Sequence, residues 1–99
     1  MGQHHAVQAV WTMDTVGVDT ASRDREFVER IIPSVQAMPG YVDAVHARSA
    51  DGIRSYATIV FDGRDGAETF KGHVTKDLSR AIAAGVHLHS LEILEVIGN

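Results

Sequence analysis

Met38-Pro39-Gly40-Tyr41 opens the stretch that decides the fold, Asp51-Gly52 turns it, and Phe61-Asp62-Gly63 closes it. Proline removes a backbone donor and glycine admits φ > 0, so Pro39 and Gly40 stop the helix that precedes them. Tyr41-Val42-Asp43-Ala44-Val45-His46-Ala47-Arg48 and Ile53-Arg54-Ser55-Tyr56-Ala57-Thr58-Ile59-Val60-Phe61 are rich in β-branched and aromatic residues. With Asp-Gly between them, the two runs predict a β-hairpin.

Upstream, Val7, Ala9, Trp11 and Met13 alternate with Ala6, Gln8, Val10 and Thr12, a period of two that predicts a strand from His5 to Met13. Asp14 to Ala21 is a polar connection, with Thr20 or Ser22 expected to cap the next helix. In that helix Phe27, Val28, Ile31, Ile32 and Val35 form one apolar stripe, while Arg25, Glu26, Glu29 and Arg30 face water. Pro33 is discordant: its ring clashes with the carbonyl of Glu29, which predicts a kink, or a helix end followed by another turn running to Met38.

Downstream of the hairpin, Ala67, Phe70, Val74, Leu78 and Ile82 recur at helical spacing. Either one helix runs through Gly72, or a break between Gly72 and Thr75 lets Thr75 or Asp77 start a second piece. From Val86 to Ile97 a last strand is expected to place Val86, Leu88, Leu94 and Val96 on one face and His87, His89, Leu91, Ile93 and Ile97 on the other.

The order is β-α-β-β-α-β, an α+β ferredoxin-like arrangement with both helices on one face of an antiparallel sheet. Residues 1–99 are read as one domain. The first and last strands are apolar on both faces, so the face without helices needs a cover, and a homodimer packed sheet against sheet is expected.

Composition narrows the function classes. A formal net charge of −4 without a basic run gives nucleic acid or an anionic membrane nothing to hold. Cysteine is absent, which removes disulfides and thiol catalysis and makes a cytoplasmic location the default expectation. Met1-Gly2-Gln3-His4-His5 carries no apolar signal segment, and no apolar run approaches the roughly 20 residues of a membrane span.

Met38-Pro39-Gly40-Tyr41 and Phe61-Asp62-Gly63-Arg64-Asp65-Gly66-Ala67-Glu68-Thr69-Phe70, set in this order of elements, resemble the dimeric α/β barrel superfamily, in particular its antibiotic-biosynthesis monooxygenase-like branch. The resemblance spans almost the whole chain, but its motifs are short and structural. It implies sheet-to-sheet dimers with a pocket between helices and sheet in each protomer, and oxygenation of aromatic polyketide-like or quinol substrates without a cofactor. Trp11, Phe70 and Arg80 stand where haem-degrading relatives carry asparagine, tryptophan and histidine, which disfavours haem degradation. Related stress-responsive barrels include a polyketide cyclase using tyrosine and histidine where Phe70 and Lys76 stand here, although His5 and His73 fall near histidines of that branch.

Individual residues add candidates, each with a bland alternative. Trp11 is a wall on which an aromatic ligand stacks, or a core residue. Tyr41 and Tyr56 present hydroxyls to a substrate, or pack across strands. His73, three residues beyond Phe70, is the candidate general base, or a half-exposed helical histidine. Trp11, Phe70, Tyr56 and His5 make up the expected substrate-binding set. His87-X-His89 places two imidazoles on one strand face, with His4, His5 and His46 able to add ligands, but no carboxylate completes a metal motif and no metal site is expected. Asp62-Gly63-Arg64-Asp65-Gly66 lacks the ligands of a calcium or phosphate loop and reads as a turn and helix start. The alternatives to a cofactor-free monooxygenase are a non-catalytic ligand-binding or stress-responsive barrel and a cyclase or isomerase.

Overall fold

The computed structural model describes residues 3–98; Met1 and Gly2, where the reading for a signal segment began, lie outside them. The elements are β1 (His5–Met13), α1 (Thr20–Glu26), a π-helical turn (Phe27–Ile31), α2 (Ile32–Gln36), β2 (Tyr41–Arg48), β3 (Arg54–Phe61), α3 (Arg64–Lys76), α4 (Leu78–Ala83) and β4 (Val86–Glu95). The strands form one sheet in the order β2-β3-β1-β4, with every neighbouring pair antiparallel. This is the ferredoxin-like α+β arrangement.

Local chemistry accounts for most boundaries. Asp19, in extended conformation, caps α1 by accepting the Ser22 N–H at 3.0 Å, so the cap is neither of the expected Thr20 and Ser22 but the residue before Thr20. Pro33 has no N–H to give and stands at the start of α2. Just before it the helix widens into the π-helical turn, whose closing bond runs from the Ile32 N–H to the Phe27 carbonyl. The wider turn changes the phase of the apolar stripe. Val35 is buried and Phe27 and Ile32 half-buried, whereas Val28, expected inside, is 62% exposed.

The Pro-Gly step is a tight turn. The Tyr41 N–H donates to Met38 O at 3.2 Å, and Gly40 takes φ +82°, where a side chain is strained. Beside it α3 begins: a Cβ at Gly66 would lie 3.1 Å from both Pro39 O and a Phe61 ring carbon. The two segments that carry the family resemblance therefore pack directly on each other, and glycine is what permits the approach. Across the hairpin loop, Asp51 accepts from the Ser49 hydroxyl and the Ile53 N–H, and these bonds hold its carboxyl below the usual carboxylate range.

The second helix breaks at Asp77, and Gly72 stays within α3. The break rotates α4, leaving Ile82 56% exposed although Ala67, Phe70 and Val74 of the same expected face pack into the core. Arg23 of α1 reaches over to donate from Nη1 to Ala84 O at 3.1 Å, a cation at the C-terminal end of α4.

Core packing lies between helices and sheet: Val7, Val35, Ile59, Phe61, Ala67 and Phe70 are buried together, and the Phe61 and Phe70 rings meet at 5.6 Å. Last-strand alternation departs from expectation. β1 pairs Val10 with Ser90 but Trp11 with Leu88, so His89 is an extra residue in β4. Such a bulge flips the faces beyond it. Val86 and Leu88 consequently share the helix side with Leu91 and Ile93, and His87 lies on the opposite side with Leu94.

Candidate functional site

Register places four side chains at a time in rows across the sheet. On the helix side, one row is His46, Ala57, Ala9 and Leu91, and the next is Arg48, Ser55, Trp11 and Leu88. Small residues at Ala57, Ser55 and Ala9 separate the imidazole from the indole. His46 and Trp11 lie two strands and one row apart, about 12 Å at ordinary strand geometry. Over the imidazole sits Phe27, the first residue of the π-helical turn, with ring centroids 5.3 Å apart and planes at 81°.

Among the described residues, two buried side-chain polar atoms lack a hydrogen-bond partner, Arg23 Nε and His46 Nδ1. Arg23 is already engaged at the end of α4. His46 has no such duty. Burial lowers its pKa from the ordinary histidine value of 6.5, so the neutral imidazole is favoured in the folded protein.

A depressed histidine pKa has a definite sign. The unfolded chain binds the proton at the higher pH, so folding stability falls as pH drops through 6.5 and the full loss is reached below the folded-state pKa. Arg48, on the same face of β2, is paired with Asp24 at 2.8 Å. Melting temperatures between pH 7.5 and about 5 are expected to fall more steeply for the wild type than for His46→Phe. Parallel curves would mean that burial of His46 does not disfavour its charged form.

The expected site residues do not converge. Trp11 is half-buried on the helix side, and Phe70 is buried against Phe61. His5 also faces the helix side, but at the far end of β1, about 20 Å along the strand from Trp11. Its Nδ1 is 3.1 Å from Gln3 O. Tyr56 pairs with Val10 and Ala47 on the face without helices and is 37% exposed. His73 is exposed on α3, outside the layer between helix and sheet. His87 Nε2 lies 3.2 Å from Asp14 Oδ2, while His89 occupies the bulge, so the two imidazoles do not alternate onto one face as expected. Among the described residues no group of three or more histidine or acidic side chains is placed to hold a metal ion.

The hollows among the described residues include two that are open to solvent. One, about 280 Å³, lies between the Pro-Gly turn and the start of α3 and is lined by Met38, Pro39, Gly40, Asp62, Asp65, Gly66, Thr69 and Phe70. The other, about 340 Å³, lies on the face without helices, where Ala6, Val45, Thr58, Val60 and Leu94 meet the segment from Val96 to Gly98. No helix among the described residues is long and apolar enough to cross a membrane.

A second irregularity, invisible to strict alternation, brings His46 to the helix side. β2 pairs Tyr41 with Phe61 but Asp43 with Val60, so one residue is skipped at Val42. Strict alternation puts Tyr41 and His46 on opposite faces; the skipped residue brings both to the helix side.

Among solved structures, the chain is similar to MupZ from Pseudomonas fluorescens, with a TM-score of 0.70 at 10% identity over 93% of this chain and 71% of that one. It is also similar to a monooxygenase from the gene ActVA-Orf6 of Streptomyces coelicolor, solved with the ligand Nanaomycin D, with a TM-score of 0.63 at 16% identity over 99% of this chain and 90% of that one. A Chloroflexus aurantiacus protein named for antibiotic biosynthesis monooxygenase gives 0.60 at 15% identity over 97% and 95% of the two chains. No protein-family profile matches the sequence. No curated protein matches it. The likeness is one of fold.

Proposed function

We propose, from the fold this chain shares with antibiotic-biosynthesis monooxygenase-like proteins, that it binds a small aromatic, quinol-like molecule between helices and sheet and oxygenates it without a cofactor. The observation that carries the reading is the helix-side platform on which the single tryptophan, Trp11, is only half-buried beside small residues, a surface suited to a flat ring. Phe70 belongs to the same layer. Tyr56 belongs to the opposite face, where Val45 is 66% exposed and Val60 and Leu94 surround the second hollow. That face is the contact of a cytoplasmic homodimer in which two sheets cover each other.

In the oxygenase reading the substrate supplies the electrons. For a methylene flanked by phenolic rings, CH2 and O2 become C=O and H2O, a four-electron exchange in which both methylene hydrogens end in the water. Binding and orientation fall to the apolar layer. Exposure of His73 favours a second reading, a binding protein without turnover, because a base on the solvent side of α3 does not meet a ligand held against the sheet.

Oxygen uptake with a panel of hydroquinones and anthrones distinguishes the two. Consumption of one O2 per substrate oxidised is expected, and His73→Ala is expected to retain it. A saturable thermal shift without oxygen uptake supports the binding protein. Proton exchange into the substrate without oxygen uptake supports a cyclase or isomerase.

A further inference from the structure

We propose that His46 Nδ1 is the acceptor for the acidic hydroxyl of the aromatic ligand, so that the site selects phenols and enols over their ethers. The proposal rests on the helix-side reading above and names the polar group that the reading lacks.

The starting point is an unmet hydrogen bond. His46 Nδ1 is buried without a partner. Leaving a buried polar atom unpaired costs stability, and an unshared lone pair is tolerated better than an unshared N–H. Nδ1 is therefore the acceptor and Nε2 carries the hydrogen. A neutral ring with a buried lone pair suits a hydroxyl donor and has no charge to offer a carboxylate or phosphate.

The surroundings set the ligand's shape. Ala57 and Ala9 continue the row from His46 toward β1, and neither projects beyond a methyl group. Trp11 stands one row along. The roughly 10 Å between β2 and β1 matches a two- or three-ring aromatic lying flat with its hydroxyl at His46. Phe27 lies against the imidazole with the two rings nearly perpendicular and Ala9 is only 3% exposed, so the ligand reaches Nδ1 when the helix layer over this row moves aside. Its position in the π-helical turn before Pro33 makes this the least regular part of the helix layer.

Calorimetric titration with 1-naphthol and with its methyl ether tests the assignment, since the two share their rings and differ in the donor. On the wild type, 1-naphthol is expected to bind about tenfold more tightly, the worth of one buried hydrogen bond. In His46→Phe the ratio is expected to fall to about one while the ether still binds. Equal affinities on the wild type overturn the role of His46 and leave the platform standing. Binding of neither probe overturns the platform itself. Nitrogen-15 spectra of the wild type provide a readout that needs no variant: Nδ1 is expected to show the shift of a bare ring nitrogen, moved by 1-naphthol and unmoved by the ether. A protonated Nδ1 in the free protein overturns the proposal.

Discussion

Phe61→Ala is expected to lower the unfolding free energy by roughly 3–5 kcal/mol, the usual cost of emptying a buried phenylalanine site. Phe61 has no exposed surface, ends β3 at the row of Tyr41 and His5, and meets the Phe70 ring at 5.6 Å. A Cβ on Gly66 would already touch its ring at 3.1 Å, so α3 is seated on this side chain. Backbone on both sides is held by the sheet and by the Pro-Gly turn, which limits collapse into the void. For a chain of this length the loss corresponds to a fall in melting temperature of about 15 to 30 °C, measurable by calorimetry. Phe61→Leu, which refills most of the volume, is expected to cost only about 1–1.5 kcal/mol. A fall below about 5 °C for the alanine variant would mean that the seat of α3 is elsewhere.

One residue earlier the expected outcome is of another kind. Val60→Lys should leave the fold in place and abolish the proposed dimer. Val60 points to the face without helices, between Ala6 on β1 and Asp43 on β2. An ammonium beside the Asp43 carboxylate forms a favourable cross-strand pair within one protomer. Buried against a second sheet, the same charge must shed its water without a new partner. Sedimentation equilibrium at micromolar concentration is expected to give a dimer for the wild type and a monomer for the variant, with circular dichroism unchanged. The dissociation constant should rise by about a hundredfold or more. A wild type that sediments as a monomer would remove the dimer, and the cover for the apolar face with it.

These adjacent residues show how far alternation carries. Phe61 and Val60 fall on opposite faces because strand period is local geometry, and along β3 it holds without interruption. On β2 and β4 it fails. The skipped residue at Val42 and the extra one at His89 each reverse the faces beyond them, and His46, His87 and His89 lie where the reversal matters. A bulge is decided by the ladders on either side of a strand, so nothing in the bulged segment's own hydrophobic pattern announces it. Strict alternation consequently offers His46 only as a metal ligand and pairs His87 with His89 on one face.

The helices repeat the lesson. Pro33 announced a disturbance, but its form, a π-helical turn that brings Phe27 over His46 and turns Val28 outward, followed from packing against the sheet. The break at Asp77 lay at one of the two positions foreseen for a new start, and only its place shows why Ile82 leaves the core face.

What the sequence determined by itself is the order of elements, the Pro39-Gly40 turn, the hairpin and the identity of most core residues. Each depends on steric preferences within a few residues or on a repeat that every residue of an element shares. Tertiary structure alone decided which histidine lost its water. Desolvation of His46 Nδ1 requires β2, its skipped residue and the π-helical turn to meet, and no span of neighbouring residues contains all three.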